Sequence, residues 1–128
     1  MAHMEELARQ MCAIGRRAYE RELVDGTGGN FSCRLDGERV LCTPTLFCKG
    51  LLTPADLCIV GLDGHQLGGT RKASSEIRMH LEIYAADPAT RAVIHCHPPF
   101  ATTFAVLGQT IPLGILPEGD VFLGSVPL

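Results

Sequence analysis

Asn30-Phe-Ser-Cys-Arg-Leu-Asp-Gly-Glu-Arg-Val-Leu-Cys42 decides the fold. Two short strand-like runs flank Asp36-Gly37, a dipeptide that accepts the positive φ of a tight reversal, so the segment reads as a hairpin. A hairpin makes its two strands antiparallel. Outward from it, Thr43-Pro44 breaks the second strand, and Leu57 to Leu62 forms another apolar strand closed by Asp63-Gly64. Arg91-Ala-Val-Ile-His-Cys-His97 is a further strand, ended by Pro98-Pro99. Upstream, Leu7, Met11, Ile14, Ala18 and Tyr19 recur at helical spacing, which predicts a helix over residues 4–23 that stops near Asp25-Gly26.

Between the strands, Thr53-Pro54-Ala-Asp56 has the form of a one-turn helix start with proline at its first position. Ser74 or Ser75 suits the cap of a helix running to Ala86, with Ile77, His80, Leu81 and Tyr84 inward and Asp87-Pro88 as its stop. Phe100 to Leu107 resumes helical spacing, and from Gly108 the chain reads as extended and rich in glycine and proline. Helices and strands alternate irregularly and hairpins are present. The expectation is an α/β chain of the α+β type: one domain over residues 1–128, with a central, mainly antiparallel sheet flanked by helices. Ile111, Leu113, Ile115, Leu116, Val121, Phe122 and Leu123 have no element after them to pack on, so the domain reads as incomplete at its C-terminus and prone to self-association.

Composition excludes several classes. The 128 residues are 46% apolar and 20% charged, ordinary for a globular domain. Eleven basic and fourteen acidic side chains leave a formal charge of −3, which offers no basic face for nucleic acid. No apolar run is long enough for a membrane span, and the opening lacks the apolar core of a secretory signal. Met1-Ala-His-Met4 has the look of an expression scar, so His3 is given no role. Of the six cysteines, Cys12 sits in a helical run and Cys33, Cys42 and Cys58 in strand-like runs, and no C-x-x-C pair occurs, which suits buried free thiols in a reducing cytoplasm better than disulfides or a zinc ribbon.

The residues with chemistry to offer are few. On a strand, His95 and His97 put both imidazoles on one face and Cys96 on the other. Two convergent neutral imidazoles suit a divalent metal and weaken as a site in acid, and equally suit a sheet end satisfied by hydrogen bonds. Glu76 opens a helix, where a carboxylate caps or meets the dipole. Ser74, Ser75 and the amides beside them also suit an anion. Glu76 and His80 share a helix face, although a packed or hydrogen-bonded His80 is the plainer reading. Thr27-Gly28-Gly29-Asn30 is a glycine-rich turn whose amides can approach a phosphate, or a simple helix stop. Lys49, Arg71 and Lys72 read as solvated charges, Lys49 in an otherwise apolar loop.

Taken in order, Gly26-Thr-Gly-Gly-Asn-Phe-Ser32, Cys42-Thr-Pro-Thr45, Leu52-Thr-Pro-Ala-Asp56, Ala73-Ser-Ser-Glu76 and Ala92-Val-Ile-His-Cys-His-Pro98 resemble the class II aldolase/adducin family, the fuculose-phosphate aldolases above all. The resemblance implies a cytoplasmic, metal-dependent lyase that cleaves a ketose phosphate and assembles as a homo-oligomer, a tetramer in the family. It implies Zn²⁺, or another divalent metal, on His95 and His97, with Glu76 as a further ligand when substrate is absent. It makes Glu76 the catalytic acid/base, and it places the substrate phosphate on Gly29, Asn30, Thr45, Ser74 and Ser75, with Thr27 beside them. Leu46 stands where these aldolases have glycine, a side chain that would crowd a phosphate. The family's third zinc histidine lies well downstream, so a truncated chain or fragment is expected to bind metal weakly. Related epimerases carry Asp where this chain has Glu76, which favours the aldolase. The alternatives are a superfamily epimerase or dehydratase, and an adducin-like interaction module without chemistry.

Overall fold

The structure, a computed structural model, describes residues 2–128; Met1 lies outside the described residues. Contacts divide the chain into two units, one ending at Cys96 and one from His97 to Leu128. The first opens with helix α1, Ala2–Glu20. Its buried stripe is Ala8, Met11, Gly15 and Ala18, while Ile14 and Tyr19, both expected inward, are 44% and 46% exposed. The stripe turns to Gly15 because the backbone of residues 49–51 packs there: a Cβ on Gly15 would lie 2.7 Å from the Lys49 carbonyl oxygen. The helix stops three residues before the expected end, where Glu22 takes a left-handed φ of 57° and the Leu23 amide folds back onto the Ala18 carbonyl.

Five strands follow: β1 (Asn30–Arg34), β2 (Arg39–Cys42), β3 (Cys58–Gly61), β4 (Gln66–Gly68) and, after helix α2 (Ile77–Ala86), β5 (Ala92–His95). They form one sheet in the order β4-β3-β2-β1-β5, and every neighbouring pair is antiparallel. The expected hairpin is β1–β2, its turn held by Asp36 accepting from the Glu38 and Arg39 amides at 2.9 Å each. The Thr53-Pro54 start is a single-turn helix with a Thr53–Asp56 capping box. β4, a three-residue strand, carries no period-2 pattern of its own and is defined by its pairing with β3.

The two faces of the sheet separate as the pleat requires. Phe31, Leu41 and Leu57 pack with Ala8, Met11 and Ala18 of α1. Val40, Cys42, Cys58, Val60 and Val93 pack with Ile77, Leu81 and Tyr84 of α2. Each buried Val or Leu contributes about 1.5–3 kcal/mol, so the sheet is a middle layer stabilised from both sides. All six cysteines are free thiols, and Cys42 and Cys58 lie buried as directly opposed neighbours on β2 and β3. Among the described residues no helix is long and apolar enough to cross a membrane.

The second unit holds helices α3 (Pro99–Val106) and α4 (Pro117–Phe122), neither with a buried residue. α4 corrects the extended reading of this segment: Pro117 pre-sets its first turn, and Glu118 and Asp120 favour its N-terminal dipole.

Candidate active site

The antiparallel register gathers the polar residues at one end of the sheet. β1 begins where β2 and β5 end, so Asn30 lies opposite His95 and Ser32 opposite Cys42. An isolated bridge between Pro44 and Ala73 brings the start of α2 to the same end. There the Ser74 amide donates to the Thr43 carbonyl at 3.1 Å and the Thr45 amide to the Lys72 carbonyl at 3.0 Å. Thr27, Gly29 and Asn30 thus share one sheet end with Thr45, Ser74 and Ser75.

The glycine-rich turn is built tightly. Gly29 has φ 69°, and a Cβ there would lie 2.5 Å from Val24 Cγ1 and 2.8 Å from the His95 carbonyl oxygen, so this position requires glycine. Lys49 secures the turn from below. It is 1% exposed, and its Nζ donates to the carbonyls of Thr27 at 3.0 Å and Phe47 at 2.7 Å. Burial lowers its pKa, while Cys48, Asp25 and Glu76 favour its charge. This corrects the reading of Lys49 as a solvated charge; the signal was its place between Phe47-Cys48 and Gly50-Leu51-Leu52. Arg71 is also engaged, paired with Asp56 at 2.6 Å and stacked 4.2 Å from the Phe47 ring centroid. Leu46 has φ 51° and is 79% exposed, holding a backbone shape that glycine adopts without strain.

Glu76 precedes the first residue of α2 and makes no side-chain cap. The Ser74 hydroxyl takes that part instead, accepting from the Glu76 amide at 3.3 Å. The Glu76 carboxylate reaches across to the sheet, where Oε2 accepts from Asn30 Nδ2 at 2.5 Å and lies 3.2 Å from His95 Nδ1. The carboxylate thus makes a cross-layer contact rather than capping its own helix. Behind it, His80 Nε2 meets Asn30 Oδ1 at 2.5 Å, and His80 Nδ1 meets the Ser32 hydroxyl at 2.7 Å. Ser32 in turn lies 2.8 Å from the Tyr84 hydroxyl. Burial, and then the nearby His95, push the His80 pKa down to about 4 against the opposing pull of Glu76, so the ring is neutral. His80 is therefore hydrogen-bonded to β1, as its plainer reading had it. Ser32 and Tyr84 were not singled out; the signal was a polar period of four on α2 (Glu76, His80, Tyr84) facing a polar period of two on β1 (Asn30, Ser32).

β5 ends at His95, and His97 lies beyond it as the first residue of the second unit. Strand alternation therefore positions His95 on the α2 face with Val93 but does not extend to His97, because Pro98 and Pro99 lack the N–H groups that would continue a ladder. The donor chemistry suits a divalent cation. Two ligands about 2.0–2.1 Å from a tetrahedral ion lie roughly 3.3 Å apart, close to the 3.2 Å between His95 Nδ1 and Glu76 Oε2. Among the described residues no group of three or more His, Cys, Asp or Glu side chains is gathered for a metal.

Residues 9–128 match the family described as Class II Aldolase and Adducin N-terminal domain. The chain is 40% identical over 118 residues to an L-fuculose phosphate aldolase of Methanococcus vannielii, covering 92% of this chain and 63% of that one. It is 38% identical over 111 residues to a 3-oxo-tetronate 4-phosphate decarboxylase of Haemophilus influenzae, covering 85% of this chain and 52% of that one. The crystal structure of L-fuculose-1-phosphate aldolase from Thermus thermophilus superposes with a TM-score of 0.76 at 33% identity, over 91% of this chain and 59% of that one. The chain thus spans a little over half to three-fifths of the length of these relatives.

Proposed function

Because this chain belongs to the class II aldolase and adducin N-terminal domain family, we propose that it carries the acid/base and metal-binding part of a carbon–carbon lyase site for a small sugar phosphate. The observation behind this reading is the Glu76 carboxylate, turned away from its own helix and placed between Asn30 and His95. His95 and His97, with Glu76 able to join them, are the residues that would hold a divalent cation, Zn²⁺ in this proposal. Bound there, the cation would supply Lewis-acid stabilisation of negative charge at the carbonyl end of a ketose phosphate.

The chain's own groups do the rest. When the C3–C4 bond breaks, the C4 hydroxyl sheds its proton to water and the electron pair is left on C3, the carbon next to that carbonyl; Glu76 returns a proton there, and takes it in the reverse direction, the part a positioned carboxylate plays in general acid–base catalysis. Thr27, Gly29, Asn30, Thr45, Ser74 and Ser75 offer amides and hydroxyls for the substrate phosphate at the shared sheet end. Lys49 holds the carbonyl of Thr27 and so keeps the first of these segments in place. Decarboxylation of a 3-oxo acid phosphate is the second reading, favoured by the likeness to the Haemophilus decarboxylase. Both reactions leave an electron pair beside a carbonyl and ask the same proton of Glu76. The apolar residues exposed in the second unit, among them Phe100, Val106 and Phe122, support assembly into a homo-oligomer; a monodisperse monomer in sedimentation velocity would contradict that.

The test is a panel of ketose 1-phosphates and 3-oxo acid phosphates, assayed with Zn²⁺ and after chelation. Cleavage that disappears on chelation and falls about 10²–10⁴-fold in Glu76→Gln is expected. Turnover in Glu76→Gln within twofold of the parent would remove Glu76 from the chemistry. No turnover with any member of the panel would favour an interaction module.

A further inference from the structure

Glu76 and Asn30 open a polar row whose inner members, His80, Ser32 and Tyr84, the proposed reaction does not itself use. Asn30 and Ser32 on β1 interleave with Glu76, His80 and Tyr84 on the α2 segment, giving the order Glu76, Asn30, His80, Ser32, Tyr84. Asn30, Ser32, His80 and Tyr84 are each 4% exposed or less. Four buried polar side chains in one line cost stability unless every one is satisfied.

The Glu76 end of the row fixes the direction of every bond in it. A carboxylate only accepts, so Asn30 donates from Nδ2 to Glu76 and turns Oδ1 to His80. An amide oxygen only accepts, so His80 Nε2 carries the proton given to it. A neutral imidazole has one proton, so its Nδ1 accepts from the Ser32 hydroxyl. Ser32, its one proton spent, then accepts from the Tyr84 O–H. No link is left with two donors or two acceptors.

We infer that Tyr84, Ser32 and His80 are positioning residues that, through a one-way chain of hydrogen bonds, lock the amide of Asn30 with its NH₂ toward Glu76 and thereby orient the carboxylate. A flipped Asn30 would set its oxygen against the carboxylate and push it away. His80 prevents the flip by offering a donor, not an acceptor, on the other side. The effect on turnover rests on the acid/base reading of Glu76; the orientation of the row does not.

The experiment has two readouts. The first is the ¹⁵N spectrum of His80 in the intact protein, which needs no substrate: the Nε2–H tautomer with an unprotonated Nδ1 is expected, together with a strongly shifted Asn30 side-chain amide proton. The second is a series, Tyr84→Phe, Ser32→Ala, His80→Met and His80→Gln, measured for kcat, KM and melting temperature. His80→Met is expected to lower kcat about tenfold, the worth of one hydrogen bond to a charged group, with KM little changed. His80→Gln, which can still donate to Asn30 Oδ1, restores most of it. Ser32→Ala and Tyr84→Phe lose progressively less, and Tyr84→Phe, close to isosteric, keeps the series readable if His80→Met does not fold. An Nδ1–H tautomer in the parent protein would overturn the inference, as would equal losses in His80→Met and His80→Gln. The right tautomer in a protein without turnover would count against the proposed reaction and leave the orientation standing.

Discussion

Replacing Gly29 by alanine sets two costs against one gain. The left-handed backbone at φ 69° costs an L-residue about 1–2 kcal/mol. The new Cβ would also meet Val24 Cγ1 at 2.5 Å and the His95 carbonyl oxygen at 2.8 Å. Val24 is 2% exposed, and the His95 oxygen belongs to a strand paired with β1, so neither yields without moving its neighbours. Overpacking of this kind costs roughly 1–3 kcal/mol. Against these, the lower entropy of the unfolded alanine chain returns about 0.4–1 kcal/mol. The net is about 2–4 kcal/mol, which for a chain of this size lowers the melting temperature by roughly 10 °C. Gly26→Ala is the control: it lies in the same segment, and a Cβ there meets nothing within 4 Å. Differential scanning calorimetry of the two variants separates the cases. A Gly29→Ala protein melting within about 2 °C of the parent, a difference expected of an ordinary surface change, would refute the account of the turn. So would equal losses in both variants.

Leu46→Gly should stabilise by up to about 1 kcal/mol, because relief of the left-handed leucine exceeds the entropy glycine adds to the unfolded chain and a side chain 79% exposed buries little; an unchanged or lower denaturant midpoint would count against it. Stability should also depend on pH through His80. The folded ring is neutral with a pKa of about 4, pushed down by burial and by His95 against Glu76, whereas the unfolded ring titrates near its ordinary 6.5. The unfolded chain therefore binds the extra proton between those values, so stability is full above about pH 6.5 and falls by up to about 3 kcal/mol towards pH 4. Urea midpoints for the metal-free protein and for His80→Gln should differ in slope across that window; parallel curves would be the contrary result. Lys49→Met should leave the Thr27 and Phe47 carbonyls without their donor, costing about 1–3 kcal/mol, and speed amide exchange in residues 27–30; unchanged exchange there would show that Lys49 does not hold the turn.

The hairpin, the antiparallel sheet and the two flanking helices were legible in the sequence because each rests on a local rule: Asp36-Gly37 for the reversal, apolar spacing for α1 and α2, Asp87-Pro88 for the helix stop. The candidate residues were named through motifs in a fixed order, and of them the fold brings Asn30, Glu76 and His95 into contact. What escaped was what pairing and burial decide. β4 has no pattern apart from its partner. Lys49 looked solvated because no local rule announces that two carbonyls from separate loops will converge on an ammonium. Strand spacing put His97 on β5, but the two prolines that follow end the ladder at His95. Glu76 looked like a cap because the reach from a helix start to β1 and β5 is a tertiary fact. Leu46 was marked for crowding a phosphate, whereas its backbone angle, invisible in the sequence, is the more direct reason for glycine at that position.

The interleaved row between α2 and β1 also has a consequence for how the protein comes into being. Its bonds join residues 46 to 52 positions apart in the chain. No subset of them can form from neighbouring sequence alone, and closing loops of that length costs entropy before any bond is returned. The strand that carries His95 is also the last to be synthesised of the five. A nascent or nicked chain can therefore hold its first hairpin while the corner of Glu76, Asn30 and His95 is still absent, and that corner should arise in one late, cooperative step once β5 has docked beside β1.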